Sequence, residues 1–238
     1  MLEVLRRLWT LGAEDQPGRI KRQIELSNQV ALFGVFATVP YQFFYAIADF
    51  SLYRPVFLAN LVFIGGYVLV VVASSRKMIW QARTLLMVNS ALQVFVVTSL
   101  ISAGAGVHLF YFTLASVAVF LFHQARVVVY VVLMAVVITL FLATHFLFPD
   151  GSTPTPVSHP WIDLMFGVSV VGSMSLSAVV LYLFRKSIDV AEYELVVTNQ
   201  RLERLSGTDQ LTGLANRREL DGVLEAAWSN VVRHGIPL

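Results

Sequence analysis

The sequence predicts an all-α membrane protein: a six-transmembrane-helix bundle that continues into a cytoplasmic coiled-coil helix. Three observations carry this. Of 238 residues, 57% are hydrophobic and 13% charged, whereas a soluble domain carries roughly a quarter charged residues. Six apolar runs succeed one another, each near the ~20 residues that a bilayer core demands. After the sixth, a polar stretch keeps a seven-residue apolar repeat. The chain has no cysteine, which excludes disulfides, thiolate metal ligands and cysteine nucleophiles. Its net charge of +2 gives no reason to expect a nucleic-acid partner.

Residues 1–26 read as an N-terminal lead-in. Leu2, Leu5, Leu8, Trp9 and Leu11 against Glu3, Arg6 and Arg7 predict a short amphipathic helix on the inner membrane surface, broken at Gln16-Pro17-Gly18. Residues 27–184 hold the runs: Val30 to Ile47 (with Pro40 inside), Val56 to Ala73, Leu85 to Ile101, Val107 to Phe122, Val127 to Phe148 and Trp161 to Phe184. The fourth is the shortest. Spans must be helical, because backbone polar groups find no water in hydrocarbon.

Lys and Arg set the orientation. Arg6, Arg7, Arg19, Lys21 and Arg22 precede the first run, Arg76, Lys77 and Arg83 follow the second, Arg126 follows the fourth, and Arg185 and Lys186 follow the sixth. The opposite loops hold only Arg54. Both termini are expected in the cytoplasm. The last outer loop, Pro149 to Pro160, reads as an ordinary solvated connection.

Residues 185–206 continue a heptad that begins at Leu181 and runs through Ile188, Leu195 and Leu202, with Ala191, Thr198 and Leu205 three residues on from Ile188, Leu195 and Leu202. This predicts a short coiled coil, ended by Gly207 as a C-terminal cap. Ser169, Ser173 and Ser177 repeat every four residues in the sixth run, a small-residue stripe of the kind that lets helices approach closely. At about 100° per residue the serines and the heptad leucines fall on one face. A parallel homodimer is therefore expected, with its seam along Ser169, Ser173, Ser177, Leu181, Ile188, Leu195 and Leu202.

Residues 207–238 change character again. Asp209, Leu211, Thr212, Gly213, Leu214, Asn216, Arg217 and Arg218 fill every fixed position of the pattern D-x-L-T-G-L-x-N-R-R. Asn216 is a candidate N-cap with Glu219 three residues on. Leu220, Val223, Leu224, Ala227, Trp228 and Val231 then recur at helical spacing, up to His234-Gly235-Ile236-Pro237. The motif closely resembles the opening of GGDEF domains, the catalytic domains of diguanylate cyclases, over roughly the last forty residues. The membrane region looks broadly like the multi-span MASE-type sensor regions found ahead of such domains.

The resemblance implies that these eight residues are structural, joining a signalling helix to the first helix of an α/β GGDEF domain, truncated here. Asp209 is placed to pair with Arg217 or Arg218 across the Thr212-Gly213 turn. Neither a GGDEF signature nor an Asp-x-Asp strand end occurs up to Leu238, so the 238-residue chain is expected to hold no catalytic residue and no cofactor. In the resemblance, magnesium or manganese acts with GTP in the catalytic domain, where two facing domains join two GTP into cyclic di-GMP.

The expected function is thus the receptor region of a dimeric diguanylate cyclase in the bacterial inner membrane. It would sense a small or amphipathic ligand at the membrane or on its outer side, with lipid and a second copy as its other partners. The alternative is the sensor of a degenerate GGDEF domain or of a GGDEF-phosphodiesterase effector. A transporter fits less well, since no internal repeat or charged broken-helix pair is visible.

Polar groups inside spans point to function. Asp49, His108, His145, His159 and Asp163 all fall on the outer side, as a ligand mouth, as a histidine metal site or as residues wetted at the interface. Their spacing matches no recognised metal pattern, and no metal ligand is assigned. Deeper lie Tyr41, Gln42 and Tyr45 beside Pro40, and Asn89, Ser90 and Gln93. They read as interhelical hydrogen-bond partners or as a polar pocket. Tyr41, Tyr45, Asn89, Gln93, His108, His145 and Asp163 form the candidate ligand pocket, an expected cavity open to the outer side.

Overall fold

A computed structural model describes residues 2–14, 16, 18–122, 127–207, 212 and 214–234. These residues are almost all helical, with no strand among them. The chain divides into two units, Met1–Phe184 and Arg185–Leu238.

In the first unit, α1 (Leu2–Thr10) precedes α2 (Gly18–Ala48), α3 (Phe50–Ser75), α4 (Ile79–Ile101), α5 (Phe110–Leu121) and α6 (Val127–Leu147). Two 3-10 turns, Ala103–Ala105 and Val107–Leu109, lead into α5, and α7 begins at Trp161. Five helices are long and apolar enough to cross a membrane: α2 to α4, α6 and α7. The fourth apolar run makes only a shorter helical stretch, Val107–Leu121. Helix α4 touches α2, α3, α5 and α6, and so lies inside the bundle. On α6, Val128, Val132 and Val136 face outward with other aliphatic side chains, as suits a lipid-facing helix with no backbone group left unpaired.

Helix α2 starts well before its apolar run because polar residues there find protein partners. Asn28 is fully buried and donates from Nδ2 to the carbonyls of Trp9 and Leu11, at 3.2 and 3.0 Å. The N-terminal segment is thereby held against α2. Pro40 sits within α2. It has no N–H to give the carbonyl of Phe36, so the helix lacks one rung there. Asp49 separates α2 from α3 and caps α3, its Oδ1 accepting from the Leu52 N–H at 3.1 Å.

The loop from Pro149 to Pro160 departs from its expected solvated state. Thr153, Thr155 and Val157 are buried. The Ala103 N–H donates to the Phe148 carbonyl at 2.8 Å, and Thr155 donates to the Leu100 carbonyl from both N–H (3.1 Å) and Oγ1 (2.6 Å). Asp150 Oδ1 accepts from Ser102 Oγ at 2.6 Å and from the Gly104 N–H at 3.0 Å. The loop closes this end of α4 because Thr155 satisfies the Leu100 carbonyl, one of those a helix C-terminus leaves unpaired, while Asp150 holds the residues that follow the helix.

Helix α7 runs without a break from Trp161 to Gly207. In the second unit its polar part is followed by α8 (Arg217–His234). Asn216 caps α8, accepting from the Glu219 N–H at 2.9 Å through its side chain.

Candidate functional site

The first unit contains a cavity of about 90 Å³ bounded by α2, α3, α4, α5 and α7. One water needs roughly 10–15 Å³ on this scale, so there is room for several waters or a compact organic molecule. Each helix contributes for a local reason. Gly34 on α2 leaves space for the Tyr67 ring of α3, which a Cβ at that position would strike. A carboxamide on α3 (Asn60) and one on α4 (Gln93) sit in mainly apolar runs and are buried, so they must bond to each other or to neighbours.

They do. Gln93 Nε2 donates to Thr38 Oγ1 at 2.9 Å and to Asn60 Oδ1 at 3.1 Å, while Gln93 Oε1 accepts from the Tyr67 hydroxyl at 2.7 Å. The Tyr67 hydroxyl also lies 3.1 Å from Ser90 Oγ. Apolar side chains complete the lining, Val30, Val94, Leu114, Val117 and Leu176 among them. The result is a chamber lined partly by a hydrogen-bonded polar cluster and partly by hydrocarbon.

Two cavity residues also hold α7. The Tyr41 hydroxyl meets Ser169 Oγ at 2.7 Å, and Ser169 Oγ donates to the Ala105 carbonyl at 2.7 Å, so Tyr41 is the donor to Ser169. Thr113 on α5 donates to the Ser173 carbonyl at 3.0 Å, and its Oγ1 lies 3.0 Å from Ser177 Oγ.

Of the seven residues expected to form the pocket, Tyr41 and Gln93 line this cavity. The other five do not, so the single outer mouth joining them is corrected. Tyr45 is fully buried in an apolar cluster with Tyr53, Val56 and Met165. Asn89 turns toward α3, donating to the Phe63 carbonyl at 3.1 Å and filling the space over Gly66. His108 and His145 meet each other, Nε2 to Nδ1, at 3.4 Å, with His108 beside the Phe141 ring. Asp163 lies with His159, 3.0 Å from its Nδ1, on an exposed surface. That hydrogen bond, with the carboxylate charge behind it, raises the His159 pKa above its ordinary value. Among the described residues no group of three or more His, Asp or Glu side chains is placed to hold a metal ion.

Thr38, Asn60, Tyr67 and Thr113 also line the cavity, and the sequence pattern does not single them out. A signal for Asn60 exists, as a lone carboxamide in the second apolar run. Nothing in the spacing of Thr38 or Thr113 distinguishes them from helix-bonded threonines.

The expected dimer seam divides. Ser169 and Ser173 are buried inside the bundle and Ser177 reaches Thr113. The serine part of the seam is thus corrected: these serines meet their own chain, Ser169 at Tyr41 and the Ser173 carbonyl and Ser177 hydroxyl at Thr113. Leu181, Ile188, Leu195 and Leu202 are exposed, from 48% to 61%. Of the eight motif residues, Asp209, Leu211 and Gly213 lie outside the described residues, and with them the expected pairing of Asp209. Thr212 stands in a turn, the Leu214 N–H points at Thr212 Oγ1 (3.5 Å), and Arg217 begins α8 with Nε 3.9 Å from Asp221 on an exposed face. Only the helical placement of Arg218 is described.

Five helices long and apolar enough to cross a membrane, with a partly polar chamber among them, define an α-helical protein of the membrane-spanning class. Residues 14–195 match the MASE7 family model, and the chain belongs to that family of membrane-associated sensor domains, typically found in diguanylate cyclase and phosphodiesterase proteins. No curated protein and no solved structure matches the chain.

Proposed function

We propose that this chain is the sensory and transmitting region of a membrane-bound diguanylate cyclase, and that the cavity is its ligand site. The observation that carries the reading is the double role of Tyr41 and Thr113. Both line the cavity, and both hydrogen-bond α7. A ligand that touches them changes the balance between two positions of α7, provided its affinity for the two differs.

In this reading the helical stretch Val107–Leu121 completes six crossings, and the Lys and Arg distribution puts both termini in the cytoplasm of a bacterial inner membrane. The exposed heptad Leu181, Ile188, Leu195 and Leu202 pairs with that of a second copy in parallel. The motif ending in Arg217 and Arg218 opens a GGDEF domain, in which GTP with magnesium or manganese yields cyclic di-GMP.

Cysteine crosslinking in membranes tests this. Cysteines at Ile188, Leu195 and Leu202 should form disulfide dimers, whereas those at Glu192 and Asn199 should not. Filling the cavity with Val94→Phe should change the crosslinking yield at Ile188. Equal crosslinking at all five positions rejects the seam, and an unchanged yield in the filled variant rejects the cavity as the sensor.

A further inference from the structure

We infer that the cavity takes an uncharged, compact molecule that presents a hydrogen-bond acceptor to Asn60 and an apolar body to the apolar lining residues, among them Val30, Val94, Leu114, Val117 and Leu176. This rests on the reading of the cavity as a ligand site and adds the chemistry of what enters it.

Charge is the first filter. None of the residues lining the cavity is Asp, Glu, Lys, Arg or His. An ion brought there would leave water and find no counter-charge, a cost of several kcal/mol per ion. A neutral molecule meets no such penalty.

The hydrogen-bond inventory is the second. Each Gln93 Nε2 proton has an acceptor, one in Thr38 and one in Asn60, and Gln93 Oε1 has a donor in Tyr67. This fixes the Asn60 carboxamide with its oxygen toward Gln93. The two Asn60 Nδ2 protons then find no partner among the described residues, although Asn60 is only 2% exposed and lines the cavity. The Tyr41 and Thr113 hydroxyls already donate to α7. The polar part of the lining therefore offers a donor at Asn60 that no protein group takes among the described residues, and inside the cavity it has only water to bond, which a ligand oxygen replaces. A carbonyl, ether or hydroxyl oxygen supplies it.

Size is the third. A cavity of about 90 Å³ holds a ring or short chain with a single polar group and excludes an acyl lipid in full length.

Four probes of one shape separate the alternatives: cyclohexanone, methylcyclohexane, cyclohexanecarboxylate and cyclohexylammonium. Each is added to the purified chain in detergent, and thermal unfolding is followed by circular dichroism. Cyclohexanone should raise the midpoint most, the unfolding constant falling about elevenfold at about ten times the dissociation constant. Methylcyclohexane should do less, and the two ions nothing. Val94→Phe should abolish the ketone effect. Asn60→Asp keeps the shape and the oxygen facing Gln93 but replaces the donor by an acceptor. It should lose the ketone response and gain one to cyclohexylammonium.

The inference is overturned if either ion stabilises the unaltered chain as well as the ketone does, if no probe stabilises it, or if the ketone stabilises the filled variant equally. A charged molecule that shifts Ile188 crosslinking would remove this ligand class and leave the cavity as the sensor. An Ile188 yield indifferent to Val94→Phe would remove the sensor itself.

Discussion

Tyr41 and Ser169, 128 positions apart in sequence, bring their hydroxyl oxygens to 2.7 Å beside the cavity, the phenol donating and the serine donating in turn to the Ala105 carbonyl. Removing the two groups has unequal consequences. Tyr41→Phe takes away a donor and should cost about 1 kcal/mol. Ser169→Ala strands the Tyr41 hydroxyl and the Ala105 carbonyl in a buried place, and should cost about 1–3 kcal/mol. A double-mutant cycle by denaturant unfolding should show coupling above about 0.5 kcal/mol. Strictly additive effects would mean that the two hydroxyls do not cooperate.

Tyr45 is the opposite case. It has no exposed surface, and its hydroxyl finds no partner among the described residues. Its ring packs 5.7 Å from that of Tyr53 and 5.8 Å from that of Phe44. Tyr45→Phe keeps the ring and discards the unpaired oxygen, so it should stabilise the chain by about 1 kcal/mol. A lower melting temperature for this variant would reveal a partner for the hydroxyl.

Arg83 is only 8% exposed, and its Nε and Nη2 have no partner among the described residues. A guanidinium stays charged in such a place. Replacing it with an apolar side chain of similar length removes an uncompensated charge, so Arg83→Met should raise the melting temperature. Loss of stability in that variant, measured in the same detergent, would show that the charge is compensated by a bound anion.

His159 gives the pH dependence. Asp163 raises its pKa, and both side chains are largely exposed. A raised histidine pKa contributes stability that is complete below the unfolded value of about 6.5 and disappears as pH rises through the folded value. The His159 imidazole resonances should titrate above about 6.5, and Asp163→Asn should bring the midpoint down. A midpoint unmoved by Asp163→Asn would break the assignment.

The helices are legible because a hydrocarbon span must be an uninterrupted apolar run, which one dimension records. So is the Asn216 cap, which depends on residues three apart. The serine stripe misleads for a physical reason: small side chains spaced by four look the same whether the approaching helix is in another chain or in this one. Tyr41 and Thr113, far away in sequence, make that choice. The cavity is half visible, through Tyr41 and Gln93. Asn60, Tyr67 and Thr38 join them only because Gly34 and the buried carboxamides set the spacing of three helices. The loop around Asp150 looks solvated in sequence because its Pro, Ser and Thr content records turn propensity and not the Leu100 carbonyl that Thr155 reaches.

The missing rung at Pro40 bears on mechanics. A helix resists bending through its ladder, and where one rung is absent the compliance concentrates. In α2 that soft joint immediately precedes Tyr41. The half of α2 clamped to the N-terminal segment through Asn28 can stay fixed while the half carrying Tyr41 yields. Deformation arriving at the Tyr41 hydroxyl is therefore absorbed as a swing about a single joint, and little of it reaches the clamped end.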